Sequence, residues 1–190
     1  YGLPAITGTE SKTNVWTNGV GVWHLEGNAN DTLGTNNGSA SNVSYSTNYG
    51  MGYGQGATFN GSSSKIQIST SSSSPFRQAT TVSYCAWVYT NTSAQTLGGV
   101  AAQGGQGNGG AAIGTGGGYF TWTAGASDTK YTFNGVSGNT WSFVVIQTTF
   151  SGPTKTVYID GKDKSTSSAS SGNPNFYFNT NYGDCIGARY

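Results

Sequence analysis

Charge is what this sequence has least of. Of its 190 residues 8 % are charged, against roughly 25 % in an ordinary soluble domain, so neutral polar side chains must carry its solubility. The formal net charge is +1, with no basic cluster anywhere along the chain. That removes the long-range attraction on which nucleic-acid binding relies, and neither DNA nor RNA is an expected partner. The only glutamates are Glu10 and Glu26, and Asp31, Asp128, Asp160, Asp163 and Asp184 are scattered singly. A glycosidase needs two carboxylates facing each other across a cleft, and this supply is too thin to expect one. His24 is the sole histidine, so nucleophilic triads and zinc sites lack the partners they lean on. Long apolar runs are missing too, and membrane insertion is not expected.

Other scarcities leave choices open. There are two cysteines, Cys85 and Cys185, both inside strand-like runs. Bonded to each other they would close a long loop and stabilise the fold by a few kcal/mol; unbonded they would be small core residues. The first residue is Tyr1 rather than methionine, which fits a processed product or a piece of something larger. Low charge also leaves copies of the chain little repelled by one another.

What is present points to strands. The aromatic share is 13 %, from 12 Tyr, 8 Phe and 5 Trp, and there are 31 Gly. Short runs of period two, such as "SKIQIST", "TVSYCAWVY", "SFVVIQTTF" and "KTVYIDG", recur between turn signals, and nothing sustains a helical period. Asn18, Asn37, Asn60, Asn108 and Asn134 each precede a glycine, as does Asp160; these dipeptides readily take positive φ in tight hairpins. The expectation is one all-β domain, a two-sheet antiparallel jelly-roll sandwich. Gln103 to Gly118 and Ser165 to Ser171, nearly all small residues, read as exposed loops.

Candidate sites follow from the same patterns. In "VGVWHL" alternation sets His24 opposite Trp23 and Leu25, with Glu26 sharing its face, a structural arrangement more than a catalytic one. The stretch "EGNANDTLG" offers Glu26, Asn28, Asn30 and Asp31 within one turn. Calcium wants such oxygen ligands, while Asn and Asp also serve turns for conformational reasons alone. Sugar binding asks for an aromatic platform with neutral polar groups. "YFTWTAG" supplies either Tyr119, joined by Tyr131, or Trp122, depending on which face looks outward.

Five segments in order, "VGVWHLEGNANDTLGTNNGS", "YGQGATFNGSSSKIQI", "TTVSYCAWVYT", "NTWSFVVIQTTFSGPTKTVYIDGK" and "DCIGARY", together resemble the laminin-G-like, concanavalin A-like jelly rolls of bacterial surface proteins and of phage and viral particles. The resemblance covers residues 15–190 and leaves 1–14 as an extension or linker strand. It implies that Trp23, Phe59, Trp87 and Tyr158 are core positions and that "VWHL" is a strand followed by a turn. It also implies a structural calcium near the sheet edge, where Asp184 matches the acidic position close to the C-terminus and Asp31 or Asn28 the first position. The implied role is a non-catalytic extracellular module, at a cell or virion surface, that binds glycans or surface polymers. Loops 103–118, with Asn108, and 172–183, with Tyr182, are its candidate contacts. The rival is a structural subunit of a filament, sheath or particle, assembled from copies through its edge strands and residues 1–14.

Overall fold

The computed structural model describes residues 15–47, 54–69, 81–89, 98–102, 111–116, 119–124, 129–134, 139–149, 155–164, 169–171 and 184–187. They are mostly strand, with almost no helix. In chain order the strands are β1 (Ser39–Ser41), β2 (Ser44–Ser46), β3 (Gly56–Thr58), β4 (Lys65–Ser69), β5 (Thr81–Tyr89), β6 (Gly98–Ala102), β7 (Ala111–Gly116), β8 (Tyr119–Ala124), β9 (Thr129–Asn134), β10 (Trp141–Thr149), β11 (Lys155–Ile159), β12 (Lys162–Asp163), β13 (Ala169–Ser171) and β14 (Asp184–Ile186). They form three antiparallel sheets: eight strands in the order β1-β4-β14-β6-β7-β8-β9-β13, four in the order β12-β11-β10-β5, and the pair β2-β3. The protein is all-β. Among the described residues no helix is long and apolar enough to cross a membrane.

Alternation explains the four-stranded sheet. Ser142, Val144 and Ile146 of β10 are buried, as are Val157 and Ile159 of β11 and Val88 of β5. Register sets Val144 opposite Ile159 and Ala86, and Ile146 opposite Val157 and Tyr84, so these residues line one face. Burying each Val or Ile side chain there stabilises the fold by about 1.5–3 kcal/mol. The β11–β12 hairpin closes on Asp160 and Gly161, with φ of 50° and 74°, the two positive values a type I′ turn requires. Asp160 also ties that turn to β10: its N–H donates to the Phe143 carbonyl at 2.9 Å, and its Oδ1 accepts the Phe143 N–H at 2.8 Å.

Two positions show how the eight-stranded sheet packs. Between β3 and β4, Asn60 Oδ1 accepts the N–H groups of Ser62, Ser63 and Ser64 at 3.0, 2.9 and 3.0 Å, while Gly61 takes φ 72°. At β14 the register with β4 shifts between Asp184 and Cys185, and these consecutive residues are both buried, as expected where a bulge re-aims one side chain. Tyr84 of β5 is buried and senses the charge of Asp184 on β14. Burial first, and then that carboxylate, push the Tyr84 phenol well above the ordinary tyrosine value.

Several expectations need correction. The "VWHL" segment is not a full strand: Trp23 makes an isolated bridge with Asp31, and the chain bends at Leu25, φ 59°. Part of the expected glycine loop, residues 111–116, is β7, paired on both sides by β6 and β8; residues without bulk can lie flat between two neighbours. Residues 169–171 of the expected serine loop are β13, paired with β9. Asn37-Gly38 is no hairpin turn either; a Cβ at Gly38 would strike Ile66, so close approach is what that glycine serves.

Candidate functional site

The outer face of the four-stranded sheet carries the aromatic platform. Because Tyr84 and Val88 turn toward the buried side of β5, Cys85 and Trp87 must turn away from it. Trp87 is 50 % exposed and Tyr158 39 %. This overturns the expectation that both are core positions: on β5 and β11 the inward places are held by the partners of Val144 and Ile146, which are Ala86, Tyr84, Ile159 and Val157. Register places Trp87 directly opposite Phe143, with ring centroids 5.1 Å apart and planes tilted by 43°. One row along, Tyr89 faces Trp141 at 5.6 Å and 55°. Tyr158 stands opposite Val145, which stands opposite Cys85. Ser83, Gln147 and Thr156 continue the same face as neutral polar positions.

The other two core assignments fare differently. Trp23 is half-buried, its ring lying over Gly21 and its Nε1 donating to the Asn36 carbonyl at 3.0 Å. Phe59 is half-buried as well, its ring pressed on the backbone of Gly187.

For the eight-stranded sheet, register bears on the Tyr119–Tyr131 platform. Trp122 of β8 stands opposite Tyr131 of β9, and Tyr119 opposite Asn134. Tyr119 and Tyr131 therefore occupy opposite faces and cannot form the joint platform considered from the sequence. Phe120, Trp122, Tyr131 and Phe133 are the positions that share a face. Asn108 and Tyr182, and residues 1–14, lie outside the described residues.

Among the residues expected to hold calcium, Asp31 is engaged by the backbone around it. Asp31 is buried, and its Oδ1 accepts the N–H of Val22 at 2.8 Å and of Leu33 at 3.0 Å. Its Oδ2 accepts the N–H of Asn36 at 3.0 Å and both the N–H and the hydroxyl of Thr35 at 3.3 Å. Burial alone raises the Asp31 pKa, but the four backbone donors outweigh it and hold the carboxyl below its ordinary value. A ring of N–H groups aimed at a carboxylate favours its charged form. Asn28 Oδ1 accepts the Asn30 N–H at 2.9 Å, the Glu26 carboxylate leans onto Gly54, and Asp184 is buried on β14. Among the described residues no three acidic, histidine or cysteine side chains gather as a metal site. Asp31 instead staples the chain from Val22 to Asn36.

Cys85 and Cys185 are free thiols, the first exposed and the second buried, so the bridge weighed from the sequence is not made. They sit in different sheets. The part of Cys85 that packs on the sheet pushes its pKa up. His24 is exposed while Trp23 and Leu25 are half-buried, in keeping with the alternation.

Fold and site together define an all-β protein with an aromatic sheet face open to solvent. Compared with known protein families, with curated proteins and with solved structures, the chain gives no match.

Proposed function

We propose that this protein is a non-catalytic glycan-binding or adhesion module, and that the outer face of β12-β11-β10-β5 is its binding surface. The observation that carries the reading is the exposure of Trp87 and Tyr158 beside the paired rings of Phe143, Tyr89 and Trp141. A pyranose offers one face of C–H groups and a rim of hydroxyls. Aromatic rings match the first, and Ser83, Gln147 and Thr156 suit the second. The two larger sheets are read here as the leaves of a jelly-roll sandwich, supported by the one-sided burial of β10 and β11 and by the effect of the Asp184 charge on the buried Tyr84. A weakly charged, glycine-rich, strand-built chain suits the outside of a cell or particle.

A glycan array probed with the full chain tests this. Trp87→Ala is expected to lose most of the signal and to leave the fold unchanged, since half of that side chain is already in water. An array on which wild type and Trp87→Ala bind alike sinks the assignment of this face. The second reading, a structural subunit assembled from copies of itself, is favoured by a different observation. Val15, Trp16 and Val20, close in sequence, are further exposed apolar side chains, 58 %, 44 % and 38 % exposed.

A further inference from the structure

We infer that Asn18 is a site of spontaneous deamidation in the folded protein, and that Asn37 and Asn60, which also precede glycine, are protected from the same reaction by the hydrogen bonds their side chains make. Asparagine before glycine is the reactive pair, because glycine has no Cβ to hinder the approach of its own nitrogen to the asparagine Cγ. At Asn18 the Gly19 nitrogen, its proton given up to hydroxide, attacks Cγ. The new N–Cγ bond closes a five-membered imide, the Cγ–Nδ2 bond breaks, and ammonia leaves with a proton taken from water. Water then opens the imide at either carbonyl and leaves aspartate or the β-linked isoaspartate. The reaction needs no reagent beyond water, so the freedom of the carboxamide to turn back toward the following nitrogen separates one pair from another.

Three of the chain's Asn-Gly pairs lie wholly within the described residues, and they differ in that freedom. Asn60 Oδ1 accepts the N–H groups of Ser62, Ser63 and Ser64 at 3.0, 2.9 and 3.0 Å and the Ser62 hydroxyl at 3.3 Å, and its Nδ2 donates to Ser63 Oγ at 3.0 Å. Turning that carboxamide gives up all of these bonds together. Asn37 Oδ1 accepts the N–H of Asp31 at 2.9 Å, and the Gly38 N–H donates to the carbonyl of the buried Ala29 at 2.8 Å. Both bonds tie Asn37 to the segment that Asp31 staples, so reaction there waits for that segment to open. Asn18 is exposed, and its side chain makes no hydrogen bond among the described residues. The Gly19 N–H does donate to the Trp16 carbonyl at 2.8 Å, but that bond closes a local turn at the surface. Conversion there sets a carboxylate in the sequence between the exposed Trp16 and Val20 and cancels the formal net charge of +1.

Incubation of the full chain in warm, mildly alkaline buffer, followed by peptide mapping with mass spectrometry, tests the inference, with isoaspartate read separately by enzymatic methylation. In the native protein Asn18 is expected to convert about tenfold or more faster than Asn37 and Asn60. Its rate should rise with pH, because hydroxide generates the attacking nitrogen. In concentrated urea the three should convert at similar rates, since the dipeptide is the same. Asp31→Asn, which loosens the segment around Asn37, should speed Asn37 and leave Asn18 unchanged; if that variant does not fold, the urea comparison carries the test. Native Asn37 or Asn60 converting as fast as Asn18, or Asn18 staying intact, overturns the assignment. An order that persists unchanged in urea overturns the protection, because neighbouring sequence rather than hydrogen bonding would then set the rates.

Discussion

At the scale of single residues, Asp31 has the most work to do. Its carboxylate is surrounded by donors from Val22, Leu33, Thr35 and Asn36, and charge-assisted bonds are worth more than neutral ones. Asp31→Asn turns an amide N–H₂ toward backbone N–H groups and removes the charge. It is expected to cost about 2–3 kcal/mol in urea unfolding, and Asp31→Ala at least as much. Because the folded pKa lies below the unfolded one, this stability is complete above the unfolded carboxylate value. It is lost as pH falls through the folded value, and the Asn variant should lack that acid limb. Calcium chelation should leave the midpoint where it is, since the Asp31 lone pairs already have protein donors; a drop on chelation would restore calcium to the fold. The two thiols should separate as cleanly. A thiol reagent should modify Cys85 in the native protein, with its reaction rate still rising at a pH where an ordinary thiol has levelled off. Cys185 should react only on unfolding, and a second thiol reacting at once would contradict its burial.

At the scale of elements, two glycines with the same φ separate conformational cost from steric cost. Gly161 and Gly187 both stand at 74°. A Cβ on Gly161 meets nothing, whereas one on Gly187 would run into the Phe59 ring. Gly161→Ala should therefore cost only the left-handed penalty, about 1–2 kcal/mol. Gly187→Ala should cost distinctly more, and equal losses in parallel denaturation curves would mean that Phe59 moves aside freely. The Asp160-Gly161 hairpin was legible in the sequence because its chemistry is local: two positive φ values need a particular residue pair. The direction of β5 was not. In "TVSYCAWVY" both parities are apolar or aromatic, Tyr84, Ala86 and Val88 against Cys85, Trp87 and Tyr89. Only the pairing of β5 and β11 with β10 decides that Trp87 and Tyr158 look outward. The role of Asp31 was ambiguous for a similar reason. A run of Asn, Asp and Gly is what a calcium loop uses and also what a backbone turn uses, and no periodicity separates the two. Strand β7 was hidden because small residues carry no alternation at all.

At the scale of the whole molecule, exposed apolar side chains and a near-neutral charge bear on whether the chain acts alone. Charge repulsion does little to keep copies apart, and an exposed aromatic face invites contact at high concentration. A lasting homodimer, however, buries roughly 800 Å² on each partner around well-packed anchors. The tilted rings about Trp87 are shaped unevenly for a flat self-contact. Light scattering at dilute protein should give the mass of one chain, 19.6 kDa, and any rise with concentration should be reversible. If the aromatic face is the sugar site, the same surface cannot hold a second copy and a glycan together, so a saturating oligosaccharide should bring the mass back to that of one chain. Trp87→Ala should suppress the rise without sugar. An assembly that survives both glycan and Trp87→Ala must be held elsewhere, and Trp16→Ser, at an exposed position close in sequence to Val15 and Val20, would then be the variant that breaks it. In that case subunit assembly, not glycan binding, would be the function that the exposed surface serves.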